Sequence, residues 1–110
     1  MEIEFKDKKL RDLCEQAKLA ERKLGQKMAR KLRARLSDLI AAASVTELPS
    51  AGRPHPLKGD REGQLALDLV HPQRLILEPA HDPVPKTDDG GIDWSRVTRV
   101  YIVEMVDYHG

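Results

Sequence analysis

The chain has 110 residues, 40% apolar and 34% charged, which allows one core beneath a wide wet surface. Four aromatics, Phe5, Trp94, Tyr101 and Tyr108, are too few for a base-stacking platform, and the single Cys14 excludes a disulfide framework or a multi-cysteine zinc site. Net charge is +1 but unevenly spread: residues 1–36 hold twelve Lys/Arg against six acids, and residues 37–110 hold seven against twelve. That asymmetry suits either a basic half facing a polyanion or cations that simply solvate helix exteriors. No apolar run approaches the ~20 residues of a membrane span, and the acidic opening Met1-Glu2-Ile3-Glu4 is no signal peptide. The expectation is a single domain over residues 1–110, cytoplasmic and without membrane contact.

In chain order, Ile3 and Phe5 alternate with Glu2 and Glu4, the period of a short strand. Asp7 follows as a helix cap, its carboxylate able to accept the free amides of a first turn. Leu10, Leu13, Cys14, Ala17, Ala20 and Leu24 form one apolar helical stripe, and Met28, Leu32, Leu36, Leu39, Ile40 and Ala43 form a second. Gly25 between them sits where a helix stops in the left-handed conformation. The pattern predicts an αα-hairpin, with one bent helix over about 7 to 43 as the alternative, since an interior glycine costs only ~1 kcal/mol.

A loop punctuated by Pro49, Gly52, Pro54, Pro56, Gly59 and Gly63 comes next. Leu65, Leu67 and Leu69 alternate with Ala66 and Asp68, a half-buried strand. The turn His71-Pro72-Gln73 then leads into a return strand over Arg74 to Glu78, with Leu75 and Leu77 on one face and Arg74, Ile76 and Glu78 on the other. Residues 79–93, with three prolines and Asp88-Asp89-Gly90-Gly91, read as a mobile polar excursion. Thr98 to Val106 is apolar on both faces, as in a strand inside a sheet. The predicted class is α+β: a small antiparallel sheet with two N-terminal helices on one face.

Chemistry concentrates in two segments. Arg53-Pro54-His55-Pro56-Leu57-Lys58-Gly59-Asp60-Arg61-Glu62-Gly63 sets an imidazole among three cations in a Gly/Pro-rich loop, a combination that suits a phosphate. The ending Val106-Asp107-Tyr108-His109 places a carboxylate, a phenol and an imidazole in succession. If that strand runs extended, Asp107 and His109 share a face and Tyr108 takes the other, unless a bulge intervenes. Two histidines near one phosphate can serve as base and acid, and cleavage of RNA by its own 2′-hydroxyl needs such a pair plus fixed cations, with no metal.

These two segments carry a family resemblance, together with Ile3-Glu4-Phe5-Lys6-Asp7-Lys8-Lys9-Leu10, the Leu24-Gly25 junction and Arg74-Leu75-Ile76-Leu77. The chain resembles the HigB-type killer toxins of the RelE/ParE superfamily, the growth-inhibiting halves of bacterial type II toxin–antitoxin pairs. The resemblance implies a RelE-like, microbial-RNase-type fold and cleavage of mRNA in the ribosomal A site, without a cofactor. It implies a partner antitoxin with a helix-turn-helix, through which alone operator DNA would be contacted. By position it makes His55 and His109 the acid–base pair in unassigned order, Asp107 their support, Tyr108 a contact to base or hydroxyl, and Arg74 the holder of the scissile phosphate. Lys58 and Arg61 would grip the RNA backbone, and the charge pattern adds Arg30, Lys31, Arg33 and Arg35 as ribosomal RNA contacts. The rival readings are a ParE-like inhibitor of DNA gyrase and a regulatory binding protein without catalysis.

Plainer roles are expected elsewhere. His71 and His81 read as solvated, Cys14 as a small apolar filler and Trp94 as an anchor for the excursion. Arg74 has a plainer reading of its own, as an ion-pair partner of Glu78 or a neighbouring acid. Asp88, Asp89 and Asp93 lack the spacing and closing glutamate of a calcium loop, so no metal site is expected.

Overall fold

A computed structural model describes residues 1–107. Strand β1 (Glu2–Phe5) leads into helices α1 (Lys8–Glu15), α2 (Ala17–Leu24) and α3 (Gln26–Ala41); β2 (His55–Pro56), β3 (Leu65–Asp68), β4 (Gln73–Pro79) and β5 (Arg99–Asp107) follow. The five strands form one sheet in the order β1-β5-β4-β3-β2. Asp7 caps α1 as its sequence position predicts, accepting from the Leu10 amide at 2.8 Å.

Three features of the helix layer and of strand direction depart from the sequence reading. The first helical stripe is split: Gln16 is extended (φ −116°, ψ 99°) and ends α1 while opening α2. Gly25 does join α2 to α3, but at φ 86° and ψ 159°, a region open essentially to glycine alone rather than the left-handed helical one. The sheet is mixed rather than wholly antiparallel, because the helix layer returns the chain so that β5 enters beside β1 in the same direction, Ile3 opposite Val100 and Phe5 opposite Ile102.

The helices cover one sheet face. Leu10, Leu32, Leu36 and Leu39 pack there against Leu65, Leu67, Leu75, Leu77, Val100 and Ile102, all buried. Strand β3 is more buried than its alternation suggests, because Ala66 is covered too, by a small second cluster with Leu57 and Ile76 on the opposite, open face. One irregularity matters later. Leu77 pairs with Ile102 and Ile76 with Glu104, so Val103 is an extra residue bulged out of β5.

The excursion over residues 79–93 folds back on itself instead of trailing into solvent. Lys86 bridges Ile92, Asp89 accepts from Thr87 and from the Gly91 amide, and Asp93 pairs with Arg96 at 2.9 Å. His81 is half-buried rather than solvated, its Nε2 accepting from the Thr98 amide at 3.0 Å. Trp94 packs against the main core and anchors this segment, as expected.

Candidate active site

Sheet register decides which side chains meet. His55 lies opposite Ala66, Ala66 opposite Ile76, Asp68 opposite Arg74, and Arg74 opposite Val106. Cross-strand partners share a face, and so do residues two apart on a strand. His55, Asp68 and Arg74 therefore all occupy the open face, over a floor of Leu57, Ala66 and Ile76 with Val103 and Val106 packed beside it.

The loop before β2 sets the imidazole. Arg53 closes a 3-10 turn over Ser50–Gly52 in the left-handed conformation (φ 45°, ψ 58°), which costs a residue bearing a Cβ roughly 1–2 kcal/mol. Two contacts hold it there. Its carbonyl lies 2.7 Å from His55 Nδ1, and its Nε donates to Asp68 Oδ2 at 2.6 Å. A carbonyl only accepts, so Nδ1 donates; in the neutral ring this leaves Nε2 with its lone pair, ready to take a proton.

Asp68 is the hub of the corner. Besides Arg53, it faces Arg74 Nε at 3.4 Å. Burial alone would raise its carboxyl pKa, but the Arg53 hydrogen bond and charge, with Arg74 and His55 behind them, hold it below the usual carboxylate range. The plainer expectation for Arg74 is met in one form: its acid is Asp68, directly across the ladder, rather than Glu78.

From behind, Arg35 ties the site to the helix layer. It is 6% exposed and donates through Nε to the Asp68 carbonyl at 2.7 Å, through Nη2 to the Ala51 carbonyl at 3.2 Å and through Nη1 to Asp38 at 3.4 Å. The expectation that Arg35 meets RNA is thus corrected: its guanidinium is buried and already taken up by the Asp68 and Ala51 carbonyls and by Asp38.

The other expected cations differ in placement. Lys58 is exposed beside the site, whereas Arg61 reaches across to Glu104 and to Gln64, each at 3.0 Å. Arg30 and Arg33 are exposed and Lys31 half-buried on α3, which lies across the sheet from His55; Arg33 stands 4.0 Å from Glu21. Asp107 ends β5 opposite Gln73, on the side of Met105, which packs on the helix-covered core, and so opposite to Arg74. Tyr108 and His109 lie outside the described residues.

Sequence reasoning counted Arg53 only among the three cations of the loop, without a role of its own, and missed Asp68 as a site residue. The available signals were an arginine two residues before His55 and an acid at an open-face position of β3, paired by alternation with Ala66.

No protein-family model matches the sequence, and no curated protein matches it. Among solved structures the chain is similar to one described as the YoeB-YefM complex from Staphylococcus aureus, at 18% identity and TM-score 0.57, covering 100% of this chain and 98% of that one. It is also similar to one described as the YoeB/ParE toxin from Agrobacterium tumefaciens, at 19% identity and TM-score 0.55, covering 99% and 100%. At such identities the likeness is one of fold, and it spans the whole of both partners. A helix layer on one face of a five-stranded sheet, with His55 and Arg74 on the other, is thus mounted on the α+β fold seen in these two structures.

Proposed function

We propose that the chain is the toxin of a toxin–antitoxin pair, of the HigB branch of the RelE/ParE superfamily, and that it cleaves mRNA on the ribosome. The observation that carries this reading is His55, its Nδ1 tied to the Arg53 carbonyl at 2.7 Å, on the same sheet face as Arg74. The likeness in fold to two structures described by toxin names supports it, as do the loop and ending described above.

In the proposed reaction His55 Nε2 removes the proton of an RNA 2′-hydroxyl. The oxygen attacks the adjacent phosphorus, and the bond to the 5′-oxygen breaks, leaving a 2′,3′-cyclic phosphate. His109 supplies the proton to the departing oxygen, with Tyr108 in support; Asp107, expected to share that role, faces the other side of the sheet from Arg74 and is left out of the step. Arg74 takes the charge that builds on the phosphorane. Side chains carry both proton transfer and charge stabilisation, so the scheme calls on no metal or cofactor. Lys58 would hold the neighbouring backbone, and Arg61 would do so by exchanging Glu104 for phosphate. Arg30, Lys31 and Arg33, across the sheet, would meet ribosomal RNA.

The neutralising partner would be a cognate antitoxin carrying a helix-turn-helix, with operator DNA reached only through it. No helix among the described residues is long and apolar enough to cross a membrane.

The test is 5′-end mapping of a defined mRNA on translating ribosomes, with wild type beside His55→Ala and His109→Ala. New ends are expected from the wild type alone, and only when ribosomes are present. A second reading, inhibition of DNA gyrase, draws on the printed name of the Agrobacterium structure and needs no acid–base pair. Growth arrest with inhibited supercoiling and no new RNA ends would replace the nuclease by that reading.

A further inference from the structure

We infer that Arg53, Arg74 and Asp68 form a phosphodiester subsite beside His55, in which the Asp68 carboxylate holds the place that an RNA phosphate takes on binding. Arg53 is then a second phosphate-binding guanidinium, and Asp68 an internal competitor. The inference rests on the nuclease reading for the identity of the anion.

The geometry is that of an occupied anion site. Arg53 meets the carboxylate with two donors, Nε at 2.6 Å from Oδ2 and Nη2 at 3.5 Å from Oδ1, and Arg74 Nε approaches Oδ1 at 3.4 Å. A guanidinium fork fits two phosphate oxygens as well as two carboxylate oxygens. The site is reachable, since the Arg53 side chain is 64% exposed and that of Asp68 29%.

It is also built rather than incidental. Arg53 is the one non-glycine residue at positive φ among the described residues, and the same residue fixes the His55 ring through its carbonyl. Behind it, Gly52 is packed on the buried Arg35, which binds the Asp68 backbone. At this exposure an ion pair contributes little to folding, so a strained backbone is poorly explained by stability alone. Holding a guanidinium beside the imidazole explains it. The nearness of that imidazole favours a phosphodiester over an acidic peptide as the incoming anion.

The test uses the full chain and a single-stranded 2′-O-methyl oligonucleotide, which lacks the attacking hydroxyl and is not cut. Binding is followed by fluorescence anisotropy over a salt series. Asp68→Asn should tighten binding roughly three- to tenfold, the size of one partly screened charge. Arg53→Ala should weaken it and lower the slope of log K against log salt by about 0.7, the loss of one phosphate contact to a single strand. In the double variant the tightening should shrink.

Unchanged or weaker binding by a folded Asp68→Asn protein would overturn the inference, as would an unchanged slope in Arg53→Ala. Tightening toward poly-glutamate but not toward the oligonucleotide would also overturn it. Should Asp68→Asn not fold, the exposed Arg53→Ala decides alone. Ribosomal cleavage is scored separately, so the two ideas fail apart. Expected binding without cleavage retires the nuclease, and cleavage with unmoved binding retires the subsite.

Discussion

Two corners of the same open sheet face are built as opposites. At the β2-β3-β4 corner two guanidiniums, Arg53 and Arg74, converge on one carboxylate, Asp68. At the β1-β5 edge two carboxylates, Glu2 and Glu4, converge on one guanidinium, Arg99, at 2.6 and 3.8 Å. The ingredients are identical and the proportions reversed. The first corner can exchange its carboxylate for a phosphate and still be neutralised; the second can only repel one. Under the proposed function, a polyanion on this face would thereby be given a direction, with its reactive phosphate at the histidine and away from β1.

The largest effect should come from breaking the cationic corner. Arg74→Ala should lower turnover about 10²-fold or more in the ribosomal cleavage assay, because a fixed charge aimed at a phosphorane is used chiefly in the transition state. A change confined to melting temperature would make the two corners equivalent, both merely structural.

Next in size is a check that both corners still sit on the same core. Burial, and then the charge of Glu15, push the Cys14 thiol up to about 12. Alkylation at neutral pH should therefore run about 10²-fold slower in the folded protein than in urea, the loss of thiolate being partly offset by its greater nucleophilicity. A variant that labels quickly has lost the helix layer, and its activity says nothing about either corner.

The support behind the cationic corner can be cut separately. A Cβ on Gly52 would stand 2.9 Å from Cδ and Nε of Arg35. Gly52→Ala should cost about 1–3 kcal/mol, read as a lower urea midpoint at unchanged slope. A neutral result would mean that Arg35 gives way freely and does not position the loop.

How much of this was legible in the sequence depended on whether the signal was local. Ile3 and Phe5, the Asp7 cap and the alternation of Leu75, Ile76 and Leu77 each express a period or a cap within a few residues, and all were readable. The break at Gln16 was not, since glutamine is an ordinary helix residue and the apolar stripe continues past it. Arg35 looked like its solvated neighbours because burial of a guanidinium depends on carbonyls at positions 51 and 68, far along the chain. The excursion looked mobile because its aspartates resemble solvated charge, whereas Asp89 and Asp93 cap turns. At the site, His55 was picked out by the cations and small residues around it, and Arg74 through resemblance. Asp68, and its pairing with Arg53, were missed because the two meet only once a strand and a loop are folded together.

Smaller effects separate the corners by pH. Because the Asp68 carboxyl is held below its ordinary value, its stabilising share is complete above the usual carboxylate range and disappears as pH falls through the lowered value. Asp68→Asn should therefore melt below wild type at neutral pH, and the gap should close at the acid end of a series of melts. A gap independent of pH would show that lost packing, not charge, separates the two proteins. Smallest of all, Arg99→Ala should leave the melting temperature almost unmoved and cleavage within twofold, since its pairs are exposed and screened by solvent.

The bulge at Val103 acts as a counter for the last strand. A regular ladder running past Leu77 would set Glu104 opposite Leu75, among the leucines of the covered core, and turn Met105 outward against Arg74. Burying that carboxylate would penalise such a slip heavily. With the extra residue absorbed, Glu104 instead meets Arg61 at 3.0 Å on the open side. One ion pair thus keys the loop after His55 to the strand that ends at Asp107, and the two cannot slide past each other by a single residue without withdrawing the key.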